Sequence, residues 1–180
     1  MIGVDMTVLS ETYCMMMDML SIKWRVKLSN PCHLLATGFG SGMCPWVPGT
    51  IASLVAIPIW CLFVLLPWQL YLLAVLLSLC IGVYCCHQTA RDIGVHDHGC
   101  IVWDEFVGMW ITLMALPAND WRWVLVSFLL FRLLDIWKPW PIRWLDRKIY
   151  SGAGIMIDDV VAGIIADGVL YWIGRHWLLF

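Results

Sequence analysis

The stretch QLYLLAVLLSLCIGVYCC, residues 69–86, decides the fold. It carries no charged side chain, and as a helix rising 1.5 Å per residue it would run about 27 Å, close to the roughly 30 Å of a bilayer's hydrocarbon core. Four further apolar stretches flank it. Residues 50–66 (TIASLVAIPIWCLFVLL) precede it and stop at Pro67, and 101–116 (IVWDEFVGMWITLMAL), 122–137 (RWVLVSFLLFRLLDIW) and 155–173 (IMIDDVVAGIIADGVLYWI) follow. Residues 31–49 hold too many glycines and prolines to span, and read as a loop or a shallow interfacial element. The expected fold is therefore all-α: a polytopic membrane helix bundle of about five spans, some short or interrupted by acids.

Composition agrees. The 180 residues are 62% apolar and 13% charged, against about 45–50% and about 25% in a soluble globular chain. A net charge of −2 with 11 Lys and Arg offers no phosphate-backbone footprint, which excludes a nucleic-acid partner. Eight cysteines lie mostly in or beside apolar runs without CxxC or zinc spacing, and read as apolar fillers. The first twenty residues carry Asp5, Glu11 and Asp18 and no basic residue, unlike a secretory signal; residues 1–28 read as a cytoplasmic tail.

Lysine and arginine placement sets the orientation. With the amino terminus inside, Lys23, Arg25, Lys27, Arg91, Lys138, Arg143, Arg147 and Lys148 are cytoplasmic. Arg122 and Arg175 are then outside, and Arg132 lies within a span. On that map Asp104 and Glu105 sit near the cytoplasmic start of the third span. Asp135 and Lys138 sit at the cytoplasmic end of the fourth, and Asp158 and Asp159 near the start of the fifth. Four separate stretches, the glycine-rich 38–50 included, deliver polar groups to one depth. Carboxylates in hydrocarbon cost several kcal/mol, so such groups face a bundle interior and carry function.

Carboxylates without clustered His or Cys favour Mg²⁺ over zinc, and Mg²⁺ characteristically combines a few carboxylates with substrate phosphate. Adjacent helix positions point about 100° apart. One member of Asp104/Glu105 and of Asp158/Asp159 would therefore ligate while the other orients it or meets a cation. Arg132, two turns inside its span, suits phosphate with its planar fork. Thr50, after Pro48 and Gly49, reads as a helix cap with Ser53 three residues on, and free amides there could receive a phosphate. His96 and His98, around Asp97, read as solvated loop residues rather than a general base or a transient metal site; Asp167, about 12 Å along the helix from Asp159, reads as buried against a polar partner or protonated, and no role is assigned to it.

The stretches SNPCHLLATGFGSGMCPWVPGTIASL (29–54), IVWDEFVGMWITL (101–113), FRLLDIWKPWPIRWLD (131–146) and GAGIMIDDVVAG (152–163) resemble the phosphatidylglycerophosphatase A family, integral-membrane, Mg²⁺-dependent lipid phosphatases of bacterial phospholipid synthesis. The resemblance implies hydrolysis of phosphatidylglycerol phosphate to phosphatidylglycerol and inorganic phosphate by a domain over 29–180 in the inner membrane. It implies Asp104, Glu105, Asp135, Asp158 and Asp159 as catalytic and metal-binding residues. Arg132, Lys138, Thr50 and Ser53 would bind the phosphate. The alternative is a small cation- or proton-coupled transporter, whose acids would lie near the midplane in paired repeats; here most acids lie toward one face, and no repeat is visible.

Overall fold

A computed structural model describes residues 25–96, 98–114, 116, 120–140, 142, 144 and 152–177. Most of the tail, together with Lys23, Asp97, Arg143, Arg147 and Lys148, lies outside them. Six α-helices and no strand occur among the described residues: α1 (Pro31–Ala36), α2 (Pro48–Phe63), α3 (Trp68–Ile93), α4 (Trp103–Thr112), α5 (Trp121–Trp137) and α6 (Gly152–Trp177). A 3-10 turn over Ser41–Met43 precedes α2.

Local chemistry sets the ends of several helices. Pro31 opens α1, and Asn30 Oδ1 caps it by accepting from Cys32 N at 3.0 Å. Asp120 Oδ1 does the same for α5, accepting from Arg122 N at 3.2 Å; side-chain acceptors of this kind satisfy amides that a helix start leaves without partners. Gly94, at φ 79°, closes α3 in the left-handed region that a residue without Cβ enters freely. Thr50 does not cap α2. That helix begins two residues earlier, at Pro48, because proline's fixed φ suits a first turn.

The bundle is built around α4, which packs on α2, α3, α5 and most extensively on α6. Its Trp103, Phe106, Val107, Met109 and Trp110 are all buried. Residues 101–116 were expected to form a span, but only ten of them are helical, a length of about 15 Å. The apolar residues here serve the protein core rather than lipid, so hydropathy alone overstated the helix. By length and composition, α3 is the one described helix long and apolar enough to cross a membrane; α2 is apolar but shorter.

Around α4 the rings of Trp103 and Phe106 stack at 5.3 Å, with Trp110 edge-on to both. Each polar edge is satisfied by a backbone carbonyl. Trp103 Nε1 donates to Ser78 O at 3.0 Å, Trp110 Nε1 to Ala56 O at 2.9 Å, and Tyr71 Oη to Trp110 O at 2.5 Å. These bonds fix α3 to both ends of the same short helix and α2 to its carboxyl-terminal part.

Two glycines set the α4–α6 crossing. A Cβ on Gly108 would stand 2.7 Å from the Phe131 ring and 2.8 Å from Asp159 O, and one on Gly163 would stand 2.6 Å from Gly108 O. Backbone therefore approaches backbone directly, as small residues allow between helices in apolar surroundings. Gly108→Ala is expected to destabilise the fold by about 1–3 kcal/mol despite alanine's better helix propensity, read as a lower midpoint of thermal unfolding in detergent.

Candidate active site

The first turn of α4 lies at the centre of the bundle, and its two acids enjoy the favourable end of the helix dipole. One carboxylate oxygen each from Asp104, Glu105 and Asp159 lies within 4.8 Å of the others. Opposing oxygen ligands of a divalent ion stand about 4–5 Å apart, so this donor set suits a hard cation. Both members of the Asp104/Glu105 pair join the group, contrary to the expectation that adjacent helix positions exclude it. The extra methylene of glutamate and the open first turn, with no preceding turn to block either side chain, let both reach one locus.

The other pair is divided. Asp159 joins the group, whereas Asp158 is engaged by Lys138, whose Nζ lies 2.6 Å from Asp158 Oδ2. Lys138 follows α5 in the left-handed region at φ 43°, donating its backbone N–H to Leu134 O. A residue with Cβ pays about 1 kcal/mol or more there, and the turn aims its side chain at α6. Asp135 forms an ion pair with Arg132 one turn away on α5, and its charge also acts on Glu105 and Asp159.

Arg132 reaches across to the start of α2. A Cβ on Gly49 would lie 3.2 Å from both terminal guanidinium nitrogens and would collide with Glu105 Oε1. Only glycine leaves room at that contact. The Gly49 and Thr50 amides, in the first turn of α2, have no partner within the helix. Ser53 is buried, its hydroxyl donating to Gly49 O at 2.9 Å, so its one proton is already committed to the backbone.

Three polar atoms of this locus are buried without a hydrogen-bond partner: Asp104 Oδ1, Glu105 Oε2 and Arg132 Nε. Orphaned atoms of this kind are costly. Two bare carboxylate oxygens and one bare guanidinium nitrogen, side by side, are complementary to a cation and an anion together. A divalent ion with a phosphate meets both needs.

Sequence reasoning missed a second polar arrangement. His33 is buried; its Nδ1 accepts from Lys27 N at 3.0 Å and its Nε2 lies 2.9 Å from Asp92 Oδ2. With Arg25 donating to Ile93 O at 3.0 Å, this clasps α1 to the end of α3. An isolated histidine carries no periodic signal, so nothing in the sequence exposed it. His98, expected in a solvated loop, is instead buried, with Nδ1 accepting from Cys100 N at 3.2 Å. Asp167 is half-buried on α6.

Residues 34–173 match the family described as Phosphatidylglycerophosphatase A. A phosphatidylglycerophosphatase A of Escherichia coli (strain K12) is 69% identical over 157 residues, 87% of this chain and 91% of that protein. One from Haemophilus influenzae is 48% identical over 156 residues, 86% and 95% of the two chains. A Bacteroides thetaiotaomicron protein provisionally named a phosphatidylinositol-3-phosphatase is 40% identical over 151 residues, 78% and 93% of the two chains. No solved structure matches.

The Lys138–Asp158 pair gives a direct check. Lys138→Met is expected to destabilise the protein more than the Lys138→Met, Asp158→Asn double variant, because the single change strands a buried carboxylate. A thermal-unfolding cycle over the four proteins should return a coupling of about 1–3 kcal/mol.

Proposed function

This chain belongs to the phosphatidylglycerophosphatase A family and is a phosphatase, and from that premise we propose that it hydrolyses phosphatidylglycerol phosphate to phosphatidylglycerol and inorganic phosphate. The reaction takes place at the cytoplasmic face of the bacterial inner membrane, with Mg²⁺ as the cofactor. The observation that carries the reading is the orphaned trio of Asp104 Oδ1, Glu105 Oε2 and Arg132 Nε beside Asp159. The family's activity needs a site for an anion and its counter-cation, and this locus supplies both halves.

Asp104, Glu105 and Asp159 would hold the ion, whose chemistry is to polarise the phosphoryl oxygens and offset their charge. Arg132 and Lys138 bind the remaining phosphoryl oxygens, and the Gly49 and Thr50 amides add donors from the start of α2. Asp135 orients Arg132, and Asp158 orients Lys138, each through its ion pair. Ser53 supports the Gly49 backbone. Net hydrolysis forms a bond from a water oxygen to phosphorus and breaks the bond from phosphorus to the glycerol oxygen, which leaves with the bonding electrons and takes up a proton, as the water gives up one of its own.

The membrane placement rests on surface chemistry. Leu62, Leu73, Leu77, Leu129, Leu133 and Ile164 are all exposed on outward helix faces, an apolar surface that a water-soluble chain of this size does not present. Residues 29–180 act as one embedded domain, with 1–28 on the cytoplasmic side. A transporter would also bury acids, but a donor set paired with a phosphate-suited arginine favours hydrolysis. The relative named for a phosphoinositide points to the same class, a phosphate monoester on a lipid.

Asp104→Asn, Glu105→Gln and Asp159→Asn are each expected to lower phosphate release from the lipid by about 100-fold or more while the helical fold survives in detergent. Chelation should abolish activity and Mg²⁺ should restore it. Phosphatidylinositol 3-phosphate run alongside tests substrate choice. Wild-type rates in all three variants would remove the site. For topology, Trp46→Cys and Trp140→Cys, both at highly exposed positions, should react with a membrane-impermeant maleimide from the cytoplasmic side alone in oriented vesicles.

A further inference from the structure

A lipid phosphatase must bring its substrate's headgroup to a buried site while the acyl chains stay in hydrocarbon, and the packing of the helices bears on where that happens. The inference that follows rests on the phosphatase reading above. Helix α4 is closely covered by α2, α3 and α6, and α6 in turn packs on α3 and α5. By contrast, α2 and α5 touch each other only sparingly, although Gly49 of α2 and Arg132 of α5 meet at the site itself. The α2–α5 contact is thus a sparse one, and the phosphate-suited arginine lies at it.

The exposed face of α5 on the Arg132 side is apolar. Leu125, Leu129 and Arg132 are spaced by four and then three residues, and therefore form one stripe along the helix. Leu125 and Leu129 are exposed, whereas the Arg132 side chain is largely buried and its Nε lacks a partner. Along the helix axis Leu129 lies about 4.5 Å and Leu125 about 10 Å from Arg132. Both distances fall within one leaflet's share of the hydrocarbon, about 15 Å. The stripe also runs from the proposed cytoplasmic end of α5 toward the bilayer centre, the direction an acyl chain takes from its headgroup.

From this arrangement we infer that the Leu125–Leu129 stripe of α5 is the track on which an acyl chain of the phospholipid substrate lies while Arg132 receives its phosphate. The occupant is one diacyl lipid with a terminal phosphate monoester. Apolar contact along the track and charge complementarity at its foot are properties of the same molecule. Substrate reaches the acids laterally from the bilayer without parting the glycine crossing of α4 and α6. The track contributes to affinity for chain length and leaves the chemistry at phosphorus to the polar residues.

The test compares wild type, a Leu125→Gln, Leu129→Gln double variant, a milder Leu129→Ala variant, and a control. The control is Leu73→Gln, Leu77→Gln on α3, whose side chains are exposed to a similar degree. Each is assayed in detergent with Mg²⁺ on dioleoyl and on dibutyryl phosphatidylglycerol phosphate, and thermal unfolding confirms that each is folded. The α5 double variant is expected to lose about tenfold or more in kcat/KM on the long-chain lipid, chiefly through KM, and about twofold or less on the short-chain one. Leu129→Ala should show the same bias more weakly, and serves alone if the double variant does not fold. The control should fall equally little on both. An equal loss on both substrates, no loss on the long-chain lipid, or a matching loss in the α3 control would overturn the track. Absence of phosphate release by wild type from either lipid would instead overturn the phosphatase reading beneath it.

Discussion

Three carboxylates drawn to one buried locus repel one another, and the rest of the structure is arranged around that repulsion. Asp104, Glu105 and Asp159 converge within 4.8 Å, in surroundings where charges are poorly screened. Several features offset the cost. The acids of α4 sit in its first turn, at the positive end of its dipole. Arg132 and Lys138 stand close by, each held by an acid of its own. What those cations leave unmet is the orphaned oxygens, a demand suited to a cation.

The packing turns that electrostatic demand into fixed geometry. Because α4 meets α6 through Gly108 and Gly163 with backbone against backbone, the distance between the α4 acids and Asp159 is set by main chain rather than by flexible side chains. Trp103, Phe106 and Trp110 pack around α4 on the protein side, each indole held by a backbone carbonyl. The strained turn at Lys138 belongs to the same scheme. A lysine placed there reaches Asp158 from outside the helix it terminates, which an ordinary helical position would not allow.

Much of this was legible from the residues. The positions of α2, α3, α5 and α6 followed from apolar runs, whereas α1 lies within 31–49, read as a loop or shallow interfacial element; the acids and cations that meet were visible as charges inside those runs. The rest depended on information a hydropathy pattern does not hold. Residues 101–116 look like lipid-facing helix because a protein core and a bilayer reward the same side chains, yet α4 covers only Trp103–Thr112. Simple helix angles separated Asp104 from Glu105, and a first turn proved more permissive than an interior one. Thr50 looked like a cap because threonine often is, but Pro48 started the helix sooner. The burial of His33 and His98 follows from long-range contacts with Asp92 and the Cys100 loop, which no local pattern encodes.

The shortness and seclusion of α4 also constrain how the chain comes to be assembled. Ten residues, two of them acidic, cannot partition into a bilayer as an independent unit, because they are too short to cross and too polar to stay. The segment therefore depends on the helices that shelter it. Because Asp159 lies on α6, the three-acid locus is complete only once the carboxyl-terminal part of the chain has been made.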